Sequence, residues 1–356
     1  KKASGLVRRL FDGKIDIIGD VHGEAGALAT LLDRLGYDGL GHHPDNRRLV
    51  FVGDLVDRGP NSVAVVDIIK NLVKRGKAQM VLGNHEINLL RGRRKHGNHW
   101  FYGEPEIIRK DMAAVSYQVL APNKRWREET LEFFAEQPLV LEGKDVTVVH
   151  AAIDSECLSE LKKWDKKAAE SNEDMGILDA YAFFQKRVVA EIKDLEGKKQ
   201  PGEDLEIQKE LIRQNSHPIK VTSSGREERA EKKYFAGGSW RRLSRAAWWN
   251  SYEGSSLIVV GHYWRRFTPP NPKLVDGFNP SGKNPFGDNG DYNIAGGGGG
   301  VLCVDYSVGI RYEERAKGWS PGAMGTGLAA LRFPEMMLMF DDGRERKVGK
   351  AAKVVS

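Results

Sequence analysis

Residues 48–59 read RLVFVGDLVDRG, a run of apolar residues that ends in glycine and is followed by charged side chains. A short run of Leu, Val and Phe bounded by Gly and polar residues is typical of a buried β-strand. We therefore predict a strand over 48–52, with Asp54 and Asp57 in the loop just past its end. Gly53 allows the chain to turn tightly beside these carboxylates.

The same arrangement recurs four more times. Apolar runs at 15–18, 79–82, 145–149 and 257–260 lead into the sequences GDVHG at 19–23, GNHE at 83–86, VHA at 149–151 and GH at 261–262. Open α/β sheets and sandwiches place their sites in loops past the strand ends, so these polar side chains are expected to converge. Together they offer enough carboxylate, amide and imidazole ligands for two divalent metals, and the donor set suits Mn, Fe or Zn. The pattern indicates metal-assisted hydrolysis of phosphate esters.

The five blocks, in this order, resemble those of the calcineurin-like metallophosphoesterase superfamily. The forms GD-x-HG, GD-x-x-DRG and GNHE look most like the phosphoprotein phosphatase branch and its bacterial relatives, which include the diadenosine tetraphosphatases that cut symmetrically. The resemblance covers residues 14–155 and 255–340. It implies an α/β (α+β) fold, a two-sheet αββα sandwich, with an α-helical insertion between the fourth and fifth blocks.

The resemblance also implies a set of metal ligands. It makes Asp20 and His22 ligands of one ion and Asp54 a bridge between both ions, and it has the second ion held by Asn84, His150 and His262. The implied cofactor is a pair of divalent ions, Mn, Fe or Zn, which share a hydroxide that attacks phosphorus. Any one of these residues could simply cap a turn at a strand end, but the five blocks together favour the ligand role.

Three residues receive roles in catalysis from the same resemblance. His85 protonates the leaving alkoxide, while Asp57 fixes the tautomer of His85 and raises its basicity. Arg58 binds the phosphate oxygens with its planar guanidinium. Two alternatives remain open: Arg58 could merely pair with Asp57, and Asp57 could cap the helix that begins near residue 60.

Two departures from the family pattern bear on the branch. Residues 151 and 152 are both Ala, where relatives usually carry Gly at one or both positions, so the loop beside the second metal is expected to differ. Trp264 stands two residues after the last metal-ligating His, where many other branches carry a second His. The absence of this second His favours the phosphoprotein-phosphatase-like branch and leaves the first metal with one imidazole fewer.

Length and composition agree with an enzyme. A chain of 356 residues can bury a sizeable core in one large domain or in two unequal lobes. It holds no run of eighteen apolar residues, so no membrane is expected as a partner, and its first residues show no secretory signal. Cys157 and Cys303 form neither a disulfide framework nor a zinc ribbon, which favours the cytoplasm. The net charge of +6 fits an anionic substrate and is also compatible with a merely basic surface.

Secondary structure is predicted outside the five blocks as well. Helices are expected over 24–35 and 60–74, a hairpin over 138–149, and antiparallel strands at 331–333 and 336–340. Five consecutive glycines at 296–300 suggest a flexible hinge. The surrounding stretch, 269–300, is expected to be a loop.

The chain is divided into four segments: the N-terminal part of the core (1–154), a mainly helical insertion (155–254), the C-terminal part of the core (255–345) and a basic tail (346–356). Helical spacing over 158–213 predicts two or three helices, and the charged stretch 223–233 is expected to be a loop. The insertion is either a solvated decoration or a cap over the metals. We favour a cap, because relatives place substrate-selecting elements in this connection.

Arginines and indoles alternate at the end of the insertion. Arg241 and Arg242 are candidate substrate-binding residues, because an arginine over an aromatic ring can grip a phosphate or stack on a base. Trp248 and Trp249 are either a platform for a base or part of the core of a cap helix. A second basic run, RGRRKH at 91–96, follows the third block closely. Such runs are usually solvated, but this one could line the mouth of the site.

These features favour a metal-dependent phosphatase that hydrolyses phosphomonoesters, similar to protein phosphatases, with a phosphorylated protein or nucleotide as its partner. A nucleotide-directed hydrolase, which cuts diadenosine polyphosphates symmetrically or removes phosphate from a polynucleotide end, stays open as an alternative. A scaffold that binds phosphorylated partners without turnover is an alternative of another class. The sequence contains no nucleic-acid recognition motif, so nucleic acid is not expected as a partner.

Overall fold

The computed structural model describes residues 5–95, 97–104, 121–171, 173–198, 201–236, 239–267, 286 and 292–349. Its strands are β1 (Val7–Arg9), β2 (Ile15–Ile18), β3 (Arg48–Phe51), β4 (Ala78–Met80), β5 (Val140–Glu142), β6 (Val146–Val149), β7 (Glu227–Ala236), β8 (Ser239–Arg245), β9 (Leu257–Val260), β10 (Val301–Cys303), β11 (Asp305–Tyr306), β12 (Gly327–Phe333), β13 (Met337–Phe340) and β14 (Glu345–Lys347). A strand therefore precedes each of the five blocks, as predicted.

The described residues also form helices α1 (Ala25–Leu35), α2 (Ser62–Lys74), α3 (Asn84–Leu90), α4 (His99–Tyr102), α5 (Lys124–Ala135), α6 (Ser155–Glu170), α7 (Ile177–Lys198), α8 (Glu203–Asn215), α9 (Pro218–Ser224) and α10 (Arg311–Ala316). The two helices predicted near the N-terminus are confirmed as α1 and α2. In the part of the chain that the structure describes, no helix is both long enough and apolar enough to cross a membrane.

Two sheets carry the core. One has the strand order β14-β13-β12-β2-β3-β4, with β11 beside β12, and the other has the order β1-β5-β6-β9-β10. Strands β2, β3 and β4 run parallel, as do β6, β9 and β10. The predicted hairpin over 138–149 is confirmed by the antiparallel β5 and β6, and the predicted closing strands by the antiparallel β12 and β13.

Alternate residues of β3 face two different cores. Leu49 and Phe51 belong to the cluster that packs under the helices, whereas Val50 and Val52 belong to a second cluster shared with the other sheet. This period of two is what a strand buried on both faces requires. The result is helices outside two packed sheets, the αββα sandwich that was predicted.

The parallel strands bring the predicted site residues together. Since β2, β3 and β4 run in one direction, the loops that follow them emerge at the same edge of their sheet. The loops after β6 and β9 emerge together from the second sheet in the same way. The amide of Gly261 donates to the carbonyl of His150, which ties the two loops of this sheet to each other.

The insertion contains three helices over 158–213, as predicted, but it also contains a hairpin. Residues 223 and 224 end α9 and β7 begins at Glu227, where it pairs antiparallel with β8, so the prediction of a loop over 223–233 is correct only at residues 225 and 226. The pairing is made by the backbone between strands rich in charged residues, so no apolar alternation marks it in the sequence. The division of the chain into segments stays a prediction. Strand β14 includes Arg346 and Lys347, which had been assigned to the tail.

The glycines at 296–300 pack closely against the loop before β9. The amide of Gly299 donates to the carbonyl of Gly254, and a Cβ at Gly299 would clash with the carbonyl of Ser256. Close approach of two backbones therefore accounts for the absence of side chains here, in place of the predicted hinge. Most of the loop predicted over 269–300 lies outside the described residues.

A network of buried charges ties the far ends of β2 and β12. The guanidinium of Arg47, almost fully buried, contacts the carboxylate of Asp16 at 3.2 Å and that of Glu335 at 2.8 Å. Arg332 contacts the same carboxylate of Asp16 at 3.0 Å. The hydrogen bond from Arg47 lowers the pKa of Glu335 to about 2.

This lowered pKa predicts a pH-dependent contribution of Glu335 to stability. Because its folded-state pKa lies below its ordinary value, the carboxylate stabilises the fold above about pH 4.5, and this contribution is lost as the pH falls toward 2. Glu335→Gln should lower the free energy of unfolding by up to about 1 kcal/mol at pH 6, since the side chain is partly exposed and screened. At pH 3 the loss should be half as large or less. Urea unfolding at both pH values measures it, with Glu345→Gln on β14 as the control; equal losses at both pH values would contradict the assignment.

Candidate dimetal centre

Polar side chains that follow five strands, namely β2, β3, β4, β6 and β9, meet where the two sheets approach each other. Asp20, His22, Asp54, His150 and His262 are all buried there. Asn84 and His85, at the start of α3, are half-buried. The structure thus brings together all six predicted metal ligands and the predicted general acid.

Two groups of ligand atoms share the carboxylate of Asp54. In one group, atoms of His22, Asp54 and His85 lie within 4.8 Å of one another. In the other group, atoms of Asp54, His150 and His262 do so. The Oδ2 atom of Asp54 lies 3.8 Å from Nε2 of His22 and 3.3 Å from Nε2 of His150. A carboxylate between two groups of imidazoles is the arrangement expected of a residue that bridges two ions.

Asp20 joins the two groups from the side of β2. Its Oδ2 atom is 3.9 Å from Nε2 of His22 and accepts a hydrogen bond from the backbone amide of His262 at 3.1 Å. Burial, together with the charges of Asp305 and Asp54, raises the pKa of Asp20 well above its ordinary value. Carboxylates crowded in this way favour a cation beside them.

The donor atoms of the site fit divalent metals. Oδ1 of Asn84 is buried and has no hydrogen-bond partner within the described part of the chain, while Nε2 of His150 has Oδ2 of Asp54 beside it at 3.3 Å. Buried polar atoms are normally satisfied, so the amide oxygen of Asn84 beside these groups fits a site that an ion would complete. Imidazole, amide and carboxylate donors suit Mn, Fe or Zn.

Backbone carbonyls orient two of the imidazoles. Nδ1 of His22 donates to the carbonyl of Val56 at 3.0 Å, and Nδ1 of His150 donates to that of Val52 at 2.7 Å. Each Nε2 is thereby turned toward Asp54 with its lone pair available in the neutral tautomer. Burial lowers the pKa of His22 and keeps its ring neutral. Burial also lowers the pKa of His150, but Asp54 and Asp20 outweigh this and raise it to about 10, so a bound dication would displace a proton here.

His85 belongs to a chain of hydrogen bonds directed away from the ligands. Its Nδ1 atom is 2.5 Å from Oδ2 of Asp57, and Oδ1 of Asp57 accepts a hydrogen bond from the indole of Trp100 at 2.8 Å. Burial lowers the pKa of His85, but the carboxylates of Asp54 and Asp57 outweigh it and raise the pKa above its ordinary value. This arrangement favours a protonated imidazole whose free Nε2 faces the site.

Glu86 holds the backbone of two ligand-bearing loops together. Its buried carboxylate accepts hydrogen bonds from the amides of Asp54 and Gly83 at 2.9 Å and from that of Leu55 at 2.8 Å. Burial and the nearby charge of Asp54 raise its pKa to about 7. Nothing in the sequence indicates this role for Glu86 beyond its place in the third block.

Several site residues have left-handed backbone conformations, namely His22, Asp54, Asp57, Arg58, His262 and Trp264. Such conformations are uncommon outside glycine and cluster at functional sites, where the surrounding structure holds them. For Trp264, the amide donates to Oδ2 of Asp305 at 2.7 Å, which fixes the turn after the last ligand.

The arginines near the ligand groups differ in what they contact. Arg58 lies over the ring of Trp264 at 4.0 Å, beside the ligand groups. Arg242 instead pairs with Glu210 of α8 at 2.8 Å, and Arg241 is exposed on the same strand, so their substrate-binding role stays a prediction. Arg245 was not singled out in the sequence, yet its charge contributes to lowering the pKa of His262, after burial. The charge of this arginine of the insertion therefore reaches the ligand cluster.

The tandem indoles Trp248 and Trp249 belong to the core. They are 7% and 3% exposed, and the indole of Trp248 donates to the hydroxyl of Tyr263 at 3.0 Å. Trp249 stacks on Phe286 with ring centroids 3.9 Å apart. Of the two alternatives for this pair, the structure supports core packing.

Gly309 offers a test of how tightly the His22 ring is held. A Cβ at this position would lie 2.5 Å from Cδ2 of His22, so Gly309→Ala is expected to displace the imidazole. We expect manganese affinity to fall by about 10- to 100-fold, as for other changes to the support of a ligand, with an unchanged circular dichroism spectrum. Isothermal titration calorimetry measures the affinity. Gly26→Ala in α1, where a Cβ meets nothing within 4 Å, is the matched control; equal affinities in the two variants would contradict the prediction.

Comparisons with known proteins agree with this geometry. A family model described as calcineurin-like phosphoesterase matches residues 13–262. The asymmetrical bis(5'-nucleosyl)-tetraphosphatase PrpE of Oceanobacillus iheyensis is 34% identical over 163 residues, which cover 43% of this chain and 62% of that protein. The protein of the same name from Geobacillus thermodenitrificans is 35% identical over 158 residues, which cover 42% of this chain and 61% of that protein. The chain thus spans about three fifths of the length of these relatives.

Among solved structures, a cold-active protein-tyrosine phosphatase of a psychrophilic Shewanella species is similar to this chain. The identity is 16%, the TM-score is 0.46, and the match covers 97% of this chain and 82% of that one.

Proposed function

The chain belongs to the calcineurin-like phosphoesterase family, and on this basis we propose that it is a dimetal-dependent phosphomonoesterase that acts on phosphorylated protein side chains. The observation that carries the proposal is the position of Asp54, whose carboxylate belongs to two adjacent groups of metal-ligating atoms. The His85–Asp57 pair beside it supplies a proton donor, which a binding scaffold would not need. Both buried thiols are unpaired, which is compatible with the proposed cytoplasmic location.

In this proposal, Asp20, His22, Asp54, Asn84, His150 and His262 hold the two ions. When bound, the ions polarise the phosphoryl oxygens and lower the pKa of a water molecule. Arg58, held in place by Trp264, binds the phosphoryl oxygens through its planar guanidinium. Arg245 is proposed as a second source of positive charge beside His262.

The leaving group receives its proton from Nε2 of His85. Asp57 accepts the hydrogen bond from Nδ1, fixes the tautomer and stabilises the imidazolium before transfer. Trp100 holds Asp57 through its second carboxylate oxygen. His85 is then protonated again by solvent, since its side chain is only partly buried.

A protein substrate is favoured because the features that suggested a nucleotide are engaged elsewhere. Trp248 and Trp249 are packed in the core and present no free face to a base. Arg242 is paired with Glu210 inside the insertion. A nucleotide-directed hydrolase would need stacking aromatics and several arginines that bind phosphate.

A dinucleotide hydrolase remains the second candidate, because Trp264 is half-buried beside Arg58 and could stack on a base. The names of the two relatives reported above describe them as asymmetrical, so the cleavage proposed for this alternative yields two unequal nucleotides. The sequence analysis had considered symmetrical cleavage for this alternative.

Product analysis with manganese tests the proposal. A phosphothreonine peptide and diadenosine tetraphosphate are incubated with the protein side by side, and released phosphate and nucleotides are quantified. We expect phosphate from the peptide and an intact dinucleotide. Rapid release of two unequal nucleotides with a slow peptide would support the second candidate instead. Absence of turnover of either substrate with Mn, Fe or Zn would overturn the enzymatic proposal and favour a scaffold.

A further inference from the structure

A surface groove lies between the end of α3 and the first half of α7. Its volume is about 500 Å³, and it is lined by Leu90, Arg91, Leu178, Tyr181, Ala182 and Gln185. Leu178 is 46% exposed, although it is a large apolar residue. None of these residues takes part in the dimetal centre, so the groove needs an explanation of its own.

The α7 side of the groove continues as a stripe of mostly apolar residues, interrupted by the polar Gln185. Leu178, Ala182, Gln185 and Val189 follow one another at spacings of four, three and four residues, which places them on one face of the helix. Val189 is 42% exposed, and with Leu178 it is one of four exposed large apolar residues in the described part of the chain. Exposed apolar residues that share one face of a helix favour a surface that binds a partner.

The other side of the groove is positively charged. The guanidinium of Arg91 lies 3.8 Å from the ring of Tyr181, and Arg93 is exposed two residues further on. Arg213 and Lys220 belong to the same cluster. Within the described residues, none of these four cations has a carboxylate at ion-pair distance. Arg91 itself lines the groove, so at least one cation without a carboxylate partner in the described chain stands directly beside its apolar residues.

The electrostatics of Lys220 support this description. Burial lowers its pKa to about 8, and the charges of Arg91, Arg93 and Arg213 add to this effect. Glu227 is the carboxylate that acts in the opposite direction, and its own charge is shared with Arg241 and Arg245. An acidic ligand would relieve the repulsion among these cations.

The groove is close to the metal ligands along a single helix. Helix α3 begins at Asn84, one of the proposed ligands, and ends at Leu90 on the groove wall. Six residues of α-helix span about 9 Å, a distance that about three residues of extended peptide cover. One peptide could therefore occupy the centre and the groove together.

We propose that this groove binds a segment of the phosphoprotein substrate that carries apolar side chains next to acidic ones, a few residues from the phosphorylated side chain. The apolar side chains pack on the exposed Leu178 and Ala182, and the carboxylates face Arg91 and Arg93. This inference rests on the proposed function, because it names the kind of protein substrate that the centre receives. It also gives a role to the basic run after the third block.

Two phosphothreonine peptides test the groove. They differ only in a segment three to six residues from the phosphothreonine, which contains Glu, Leu and Phe in one peptide and Ser and Gly in the other. We expect the wild-type KM to be about tenfold lower for the acidic, apolar peptide, at similar kcat. Leu178→Asp and Arg93→Glu should each remove this difference, while kcat/KM for p-nitrophenyl phosphate stays within about twofold.

The chain provides matched controls for both variants. Leu40 is 47% exposed, almost the same as Leu178, and lies in a loop before β3, so Leu40→Asp introduces the same change elsewhere. Arg75→Glu, at the end of α2, matches the charge reversal at Arg93. Both controls should keep the wild-type preference between the two peptides.

A binding measurement separates this inference from the proposed function. Fluorescence anisotropy of the labelled acidic, apolar peptide without phosphate needs no turnover, and its Kd should rise about tenfold in Leu178→Asp and Arg93→Glu. If no phosphate ester is hydrolysed but the peptide binds in this manner, the proposed function fails and the groove assignment stands. Equal binding by variants and controls, or a Leu178-dependent self-association of the chain in light scattering without peptide binding, would overturn the groove assignment.

Discussion

His85→Ala is expected to lower turnover of a phosphothreonine peptide by about 10²–10⁴-fold, and turnover of p-nitrophenyl phosphate by only about tenfold. The threonine alkoxide is a poor leaving group that needs a proton as the bond to phosphorus breaks, whereas nitrophenolate leaves without one. In the structure, Nδ1 of His85 is hydrogen-bonded to Asp57, which accepts a second hydrogen bond from Trp100, so Nε2 of His85 is the nitrogen that can donate a proton to the leaving group. Steady-state kinetics on the two substrates measure the difference.

A second role for His85 is compatible with its position, and the same variant distinguishes the two. Nε2 of His85 lies 3.8 Å from Oδ2 of Asp54 and belongs to one of the two groups of potential ligands. A ligand would be needed for every substrate, so its loss would lower both activities equally and reduce the metal content. Elemental analysis of dialysed protein should show an unchanged metal content if His85 is the proton donor.

Trp100→Phe provides a graded control for the proton-donor role. It removes the hydrogen bond to Asp57 and keeps an aromatic ring in the buried position. We expect a fall of about tenfold on the phosphothreonine peptide and little change on p-nitrophenyl phosphate, because the ion pair of Asp57 with His85 is loosened but not removed. A fall of the same size on both substrates would indicate a structural effect on the whole site.

The elements that the sequence predicts well are those with a local cause. Short apolar runs such as residues 49–52, bounded by Gly and polar residues, favour buried strands, and the glycine that follows most of them permits the turn that exposes a ligand. The order of the loops then follows, because parallel strands present their ends at one edge of a sheet. For this reason Asp20 and Asp54, which follow the parallel strands β2 and β3, can be placed together from the sequence, whereas the position of His150, after a strand of the other sheet, follows from the family resemblance.

The residues that the sequence analysis missed act through contacts between distant segments. Trp100 reaches Asp57 across 43 positions, and Glu86 reaches the amide of Asp54 across 32. Gly309 is noticeable only because it touches the ring of His22. No periodicity or local motif records such contacts, since each depends on how the helices pack on the sheets.

Composition alone overstated the role of the aromatic segment in the insertion. Trp248 and Trp249 follow several arginines, and this mixture suggested a base platform. A buried indole stabilises the fold more than an exposed one does. Both rings pack against aromatic neighbours in the core. Hairpin β7–β8 was missed for the opposite reason, because its residues are largely charged and its pairing rests on the backbone.

Asp54→Asn is expected to abolish activity on both substrates, by at least about 10³-fold, because the two proposed metal sites share this carboxylate. The substitution removes one charge and keeps the shape. Asparagine also tolerates the left-handed backbone that Asp54 adopts, with φ of 50°, so the loop should be retained. The wild-type chain should bind two ions and gain thermal stability with manganese, as any ligand of the native state confers. The variant should bind fewer than one ion per chain and show no such gain.

Asp57→Asn is the matched control for this prediction, since Asp57 is also buried and also has a left-handed backbone, with φ of 73°. Its carboxylate faces His85 and Trp100 and contributes to neither group of ligands, so the same chemical change should leave two ions bound. Activity should then fall mainly on the phosphothreonine peptide, as for His85→Ala. If Asp54→Asn keeps both ions, or if Asp57→Asn loses them, the assignment of Asp54 as the shared ligand is wrong, and the centre would have to be built around Asp20.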